Sequence, residues 1–318
     1  MVVEPNPYTL SLGGTSKDSE HLYFIMSPIL AGPIHKHFRA EGNGRFAYTR
    51  ARFYCMNVTS ALLFMHGKGF VHRDVKASNV LLNENGYAVL ADFGYAKNIL
   101  LNEDGSIGDP KPTFTFCGTL HCMAPEVLSK KETGHGFKAD WWSLGIFVYE
   151  MMTGRPPWGY GVGEVERAQL ERDIMDGEVR FEEGIFEGVG RSGRSFIEKL
   201  LVREEERRMG SLEEFKGETF FETGEWGVGG EGGGSTLKLV ESRQNSTRKS
   251  EIWTCWRIRV GRAGAQILGA HSKGFDCYYK EVKRIGIVYM KRETVLRCFK
   301  MLALYLSCKA RLTDDCYE

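Results

Sequence analysis

Residues 70–82 read FVHRDVKASNVLL, and AVLADFGYAK follows at 88–97. The two runs carry Asp74, Lys76, Asn79 and Asp92 at short, fixed offsets. Taken singly, an Asp or Asn in a loop most often caps a turn, because its short side chain bonds nearby backbone. Together the four describe a more demanding arrangement. A phosphoryl group leaving a nucleotide needs one carboxylate near the attacking hydroxyl and oxygen ligands for the metal ions that bridge the phosphates. An Asp in a tight loop, a Lys two positions later and an Asn five positions later can point into one cleft. An Asp-Phe-Gly turn after the next hairpin can bring a second metal ligand opposite.

The flanking sequence supplies a frame for that cleft. RARFYCMNVTSALLFMHGKG, 50–69, sets Phe53, Met56, Val58, Ala61, Leu62 and Met65 at near-helical spacing and stops at Gly67 and Gly69, which predicts a buried helix with a glycine end. ADWWSLGIFVYEMMTG, 139–154, is apolar almost all round and runs into Pro156 and Pro157. That pattern predicts a helix through the centre of a helical lobe. HLYFIMS, 21–27, and YAVLAD, 87–92, read as short strands. The fold class is therefore α+β, mainly α, with the packed body running from Leu22 to about Phe221. Composition shifts at Glu222. GEWGVGGEGGG, 224–234, holds seven glycines in eleven residues, so 222–250 reads as a flexible linker. Residues 251–318 carry thirteen Lys or Arg against seven Asp or Glu and five of the eight cysteines, without a steady period, and read as a basic, weakly structured tail. Cys255, Cys277, Cys298, Cys308 and Cys316 are too widely spaced for a zinc ribbon or finger.

Composition limits the partners. The 318 residues are 42% hydrophobic, enough for a sizeable core. A formal charge of +1 gives no global reason to expect nucleic acid or a membrane surface. The longest apolar runs, such as MLALYLSC at 301–308, are far too short to span a bilayer. Eight cysteines in a chain this long, with no secretory h-region after Met1, read as reduced thiols in a cytosolic or nuclear setting.

With HRDVKASN, DFGYAK, TFTFCGTLHCMAPEVL, KADWWSLGIFVYEMMTGRPPW and KLLVREEERRMGS present in order, the chain resembles the eukaryotic protein kinases. It is most similar to their Ser/Thr type and to the cyclic-nucleotide-dependent, AGC-like branch, over about residues 6–226. The resemblance implies transfer of the ATP γ-phosphoryl group to Ser/Thr hydroxyls of protein substrates, with Mg²⁺ as the metal. It implies that Asp74 accepts the hydroxyl proton and that Lys76 neutralises charge on the transferred group. Asn79 and Asp92 match the two Mg²⁺-binding positions, Leu81 the residue under the adenine, and Met26 the residue guarding the adenine pocket, with 27–30 as the hinge. Arg73 matches the position that pairs with an activation-loop phosphate, delivered by an upstream kinase to Thr115, with Thr113 as a neighbouring alternative. Thr119 resembles the residue that bonds the catalytic Asp and Lys. Glu126 with Arg208 resembles a buried structural ion pair, and Asp140 a residue that holds the catalytic loop from below. Glu150 matches one carboxylate that reads basic residues before the acceptor.

The chain also departs from that family. Pro33, Ser78 and His121 stand where further substrate-reading carboxylates are usual, which makes an Arg-rich consensus doubtful. No Gly-rich phosphate loop, strand Lys or helix Glu precedes residue 6, and SLGGTS at 11–16 reads as a strand turn. The expected architecture is a protein-kinase-like fold, N-terminally truncated, with 1–30 a remnant of the β-rich small lobe and hinge and 31–221 a nearly complete helical large lobe. Two function classes follow: a Ser/Thr kinase, impaired or inactive in this form, or a non-catalytic kinase-like scaffold.

Overall fold

The computed structural model describes residues 6–17, 21–26, 29–100, 102, 108–129, 133–159, 167–186 and 190–221, together with the backbone of 254–261, 264–272 and 289–290. The 222–250 linker lies outside them. In chain order the elements are β1 (Leu12–Lys17), β2 (His21–Met26), α1 (Ile34–Ala40), α2 (Tyr48–Gly67), β3 (Phe70–Val71), β4 (Val80–Leu82), β5 (Ala88–Leu90), β6 (Lys97–Asn98), α3 (Pro125–Leu128), α4 (Lys138–Thr153), α5 (Arg167–Asp176), α6 (Gly190–Leu200), α7 (Leu212–Lys216), β7 (Thr254–Gly261), β8 (Gly264–Ser272) and β9 (Tyr289–Met290). They divide into two compact units. One comprises 1–5, 9–30 and 236–318, the other 6–8 and 31–235.

The first unit holds a five-stranded sheet of order β1-β2-β7-β8-β9. β1 and β2 are antiparallel, with Leu12 opposite Met26 and Lys17 opposite Leu22. The glycines of SLGGTS lie inside β1, at a register shift between Leu12 and Gly14, and not in a turn. A glycine without a side chain suits such a shift. The other edge of β2 pairs with β7, from His21 opposite Arg259 to Met26 opposite Thr254, and β7 continues into an antiparallel hairpin with β8. The segment read as a weakly structured tail thus contributes three strands. Its strand signal is the strict alternation of Trp256, Ile258 and Val260 with Arg257 and Arg259, the period of a half-buried strand.

The second unit is built around α4. Fourteen of its sixteen residues are buried, as its unbroken apolar sequence requires. α2 buries Ala51, Tyr54, Cys55, Val58, Ala61, Leu62 and Met65, a three-and-four spacing that lays one face on α4. α6 packs on another side of α4, where Gly145 leaves room for Leu200 and Leu201. Phe196, Phe220 and Phe221 close that end, with the Phe196 and Phe220 rings stacked 4.7 Å apart. α4 stops at Gly154, whose φ of +81° favours glycine and whose position would put a Cβ 2.6 Å from the Gly44 carbonyl oxygen. β4 and β5 form the short hairpin expected near 80–92, with Val80 opposite Leu90, and β3 pairs with β6. The hairpin and α2 together present the loop 72–79.

Candidate functional site

The loop 72–79 is fixed from beneath by α4. Asp140, in the first turn of that helix, is fully buried. Its Oδ2 accepts the His72 backbone N–H at 2.8 Å and His66 Nε2 at 2.8 Å, and its Oδ1 accepts the Arg73 N–H at 2.7 Å. Burial pushes the Asp140 carboxyl up, but the His66 bond and charge and the His72 contacts outweigh it and leave the group below its ordinary range. This anchoring holds Arg73 at φ +68°, a left-handed conformation uncommon for a residue with a side chain. His72 bridges the loop to the next strand: its Nδ1 accepts the Asp74 N–H at 3.2 Å while Nε2 donates to the Ala91 carbonyl at 3.1 Å, which assigns the neutral, Nε2-protonated tautomer.

Asp74 sits at the centre, 2% exposed. One carboxylate oxygen accepts Lys76 Nζ at 2.8 Å and Asn79 Nδ2 at 2.9 Å, and the other accepts the Thr119 hydroxyl at 2.7 Å. Lys76 Nζ also donates to Thr119 Oγ1 at 2.7 Å, and Asn79 Nδ2 to the Asp74 carbonyl at 2.9 Å. Four residues expected at the site from sequence, Asp74, Lys76, Asn79 and Thr119, are thereby brought into one hydrogen-bonded cluster. Gly118, at φ +108°, makes the close approach possible, since a Cβ there would lie 2.5 Å from the Arg73 carbonyl oxygen.

Asp92 follows on the far side of the β4–β5 hairpin, tied to the cluster by the Ala91 N–H to Asn79 carbonyl bond at 2.9 Å. It adopts φ +61°, is exposed, and caps the short turn of Phe93–Tyr95 through Gly94 N at 3.3 Å. Phe93 packs edge-on against His72 at 5.5 Å. With both protons of Asn79 Nδ2 spent on Asp74, the Asn79 amide oxygen remains a carbonyl-type ligand, and Asp92 supplies an exposed carboxylate. Both are hard oxygen donors of the kind Mg²⁺ takes. Among the described residues no cluster of three His, Cys, Asp or Glu could hold a metal ion. Two oxygen donors alone do not complete an octahedral shell, so the pair fits a cation that brings further oxygens from a bound phosphate. Leu81, in β4, is half-buried in the second unit, and Met26 ends β2 in the first. Residues 27 and 28 of the expected hinge lie outside the described residues.

The segment after the hairpin carries both candidate hydroxyls, Thr113 and Thr115. The hydroxyl that meets Arg73 is that of Thr113, which lies 3.5 Å from Arg73 Nη1 and accepts Lys97 Nζ at 2.9 Å. Thr113 is fully buried and clamped by two backbone bonds to His135, whereas Thr115 is half-buried. Chain offset alone does not distinguish the two hydroxyls; the antiparallel bridge to His135 does. His135 has an unpartnered, buried Nε2, and burial together with the nearby Arg73 charge lowers its pKa to about 4.

Glu126 and Arg208 form a bidentate pair at 2.6 and 2.9 Å, both side chains fully buried. Arg208 spends its other donors on the Val202 and Lys138 carbonyls at 2.8 and 2.9 Å, so the desolvated guanidinium is satisfied on every side. Glu150, in α4, is 6% exposed, and burial raises its carboxyl, offset in part by Arg39. Arg39 Nη2 lies 3.7 Å from Glu150 Oε1, a partner that the sequence reading missed because α1 and α4 are far apart in the chain.

Comparison with known proteins adds a lineage to this geometry. The protein kinase domain profile matches residues 4–221. The chain is 32% identical over 225 residues to a "cAMP-dependent protein kinase, catalytic subunit-like" protein of Caenorhabditis elegans, covering 70% of this chain and 51% of that protein. It is 32% identical over 223 residues to "Protein kinase C delta type" of Rattus norvegicus, covering 70% and 30%. It is 35% identical over 206 residues to "Protein kinase 2" of Dictyostelium discoideum, covering 65% and 39%. The chain spans about half the length of the first of these relatives and less of the other two.

Proposed function

The chain belongs to the eukaryotic protein kinase family, and from that premise we propose that it transfers the γ-phosphoryl group of ATP to Ser or Thr hydroxyls of protein substrates. The observation that carries this is the Asp74 cluster: a buried carboxylate held by Lys76, Asn79 and Thr119 on a loop pinned by Asp140. Asp74 takes the proton of the attacking hydroxyl. Thr119 and Asn79 orient its carboxylate, and Lys76 supplies a positive charge beside the transferred group. Asn79 and Asp92 would hold Mg²⁺, which neutralises charge on the phosphates when bound. Leu81 would lie under the adenine. The unit built on 31–221 serves as the large lobe, and the strands within 12–26 belong to the small one.

Control falls to the segment around Thr115. Thr113 occupies Arg73 and Lys97 while fully buried, so Thr115 is the acceptor that an upstream kinase can reach. A phosphate there carries nearly two charges and three strong acceptor oxygens, and would draw Arg73 away from the Thr113 hydroxyl. Among the described residues Cys55 and Cys122 are buried thiols, and the low cysteine content of the sequence favours a reducing, cytosolic or nuclear setting. No helix among them is long and apolar enough to cross a membrane.

The test is transfer of radiolabel from Mg-ATP to a Ser/Thr peptide library by the 318-residue chain, beside Asp74→Asn. Turnover that Asp74→Asn lowers at least about a thousand-fold, with an unchanged urea midpoint, supports the assignment. Turnover that survives it removes Asp74 as the base, and absence of transfer and of Mg-ATP binding by titration calorimetry, in this chain and in a form extended upstream by a Gly-rich loop and a strand Lys, overturns the catalytic reading in favour of a scaffold.

A further inference from the structure

Whatever peptide brings a hydroxyl to Asp74 must lie against the groups around it, and α1, bonded to the catalytic loop, brings the cations Lys36 and Arg39. α1 reads IHKHFRA: it has His35, Lys36, His37 and Arg39 and no acidic residue. It is joined to the catalytic loop by the Pro33–Leu81 bridge, the Leu82 N–H to Gly32 carbonyl bond at 2.9 Å, and His35 Nδ1 at 3.4 Å from the Ala77 carbonyl oxygen. Among the described residues Glu150 is the carboxylate at the position that reads basic substrate residues in similar kinases, and it lies with Asp74 and Lys76 within electrostatic reach of the Cys122 thiol. Glu150 is covered. Its side chain is 8% exposed, and the Arg39 guanidinium stands 3.7 Å from it with 60% of its own surface in solvent. Ser78, exposed on the loop, and half-buried His121 add no negative charge. Asp74 is 2% exposed and engaged by three donors.

We propose that this cleft selects a Ser or Thr flanked by a carboxylate side chain, and that Arg39 is the residue that reads it; the inference rests on the kinase assignment above. An incoming Arg would have to displace Arg39 from Glu150, which exchanges one guanidinium for another without net gain. An incoming Glu or Asp meets a guanidinium whose planar fork has five donors, with only a 3.7 Å contact to Glu150 holding it. Glu150 then acts as a positioning residue, fixing Arg39 over the cleft. The preference is set by a single exposed charge pair, so it is modest and screened by salt.

The experiment reads binding, not turnover, so that it can fail independently of the kinase assignment. Fluorescein-labelled peptides with Ala at the acceptor position and Glu, Gln or Arg at the flanking positions are titrated with the 318-residue chain at low salt, by anisotropy. The Glu peptide should bind about five-fold more tightly than the Arg peptide. Arg39→Gln should abolish or invert that order, because it uncovers Glu150, and Arg39→Lys should keep it. Arg39 is mostly exposed, so neither change should move the urea midpoint. Tighter binding of the Arg peptide, equal affinity for all three, or an order that Arg39→Gln leaves unchanged overturns the proposal.

Discussion

Replacing Asp140 by Asn tests whether α4 sets the geometry of the catalytic loop. The carboxylate accepts three bonds, two on Oδ2 and one on Oδ1. The amide can keep only one acceptor oxygen. Its least costly orientation keeps that oxygen on His72 N and His66 and turns the NH₂ toward the Arg73 N–H, donor against donor. One charge-assisted bond is lost, a buried N–H is left unpaired, and two remaining bonds become neutral. At about 1.5–3 kcal/mol for a bond to a charged group, the total is about 2–4 kcal/mol. Arg73, held at φ +68°, is then free to relax, which misplaces Asp74. Hydrogen–deuterium exchange of a peptide covering 70–80 should accelerate by at least about 30-fold, the equivalent of about 2 kcal/mol. The same variant should lose acid sensitivity. The Asp140 carboxyl is lowered in the folded state, so its stabilising contribution is present above the ordinary carboxylate pKa and lost as pH falls through the lower folded value. Exchange in 70–80 that stays within three-fold of the parent, with catalysis intact, would refute the claim that Asp140 positions the loop.

Glu126→Gln should cost about 3–5 kcal/mol by urea denaturation, since it strands a fully buried guanidinium, whereas the Glu126→Gln/Arg208→Met pair should recover part of the loss; a single variant within 1 kcal/mol of the parent would contradict the buried pairing. Thr115→Ala should depress transfer and Thr115→Glu restore only a fraction, because a carboxylate has less charge and fewer acceptors than a phosphate; full activity of Thr115→Ala would remove Thr115 from regulation. His135 has a folded pKa of about 4 against an ordinary 6.5, so the unfolded chain binds the extra proton first and stability falls as pH drops from 6.5 to 4, by up to about 3 kcal/mol. His135→Gln should flatten that limb of the stability–pH curve, and an unchanged slope would show that the imidazole charges freely in the fold.

The parts of this site that could be read from sequence are those set by short offsets. Asp74, Lys76 and Asn79 lie within one loop, so their spacing nearly dictates their meeting, and the helices around them announced themselves through apolar spacing and terminal glycines. Contacts between remote segments were less accessible. Arg39 on Glu150 and Thr113 on Lys97 depend on how α1 and the chain after β6 pack, which no local period encodes. His72 gave no signal as a tautomer-fixed bridge, because a histidine beside an Asp is chemically unremarkable until its two acceptor and donor partners are seen. β7 is a different case: the alternation at 256–260 is local, but the basic, cysteine-bearing composition that surrounds it after the glycine run points away from a packed strand.

The Glu126–Arg208 contact joins residues 82 positions apart, and the chain between them passes through the exposed turn at Gly184, where nothing lies within 4 Å of a built Cβ. A protease cut at that turn would leave α4 on one fragment and α6 on the other, still clasped by the buried ion pair, the α4–α6 packing and the edge-on contact of Tyr48 with Phe220. The helical unit is thus suited to reassembly from two halves: fragments ending and beginning near Gly184 should co-migrate as one species and restore one another's fold when mixed, as in fragment complementation.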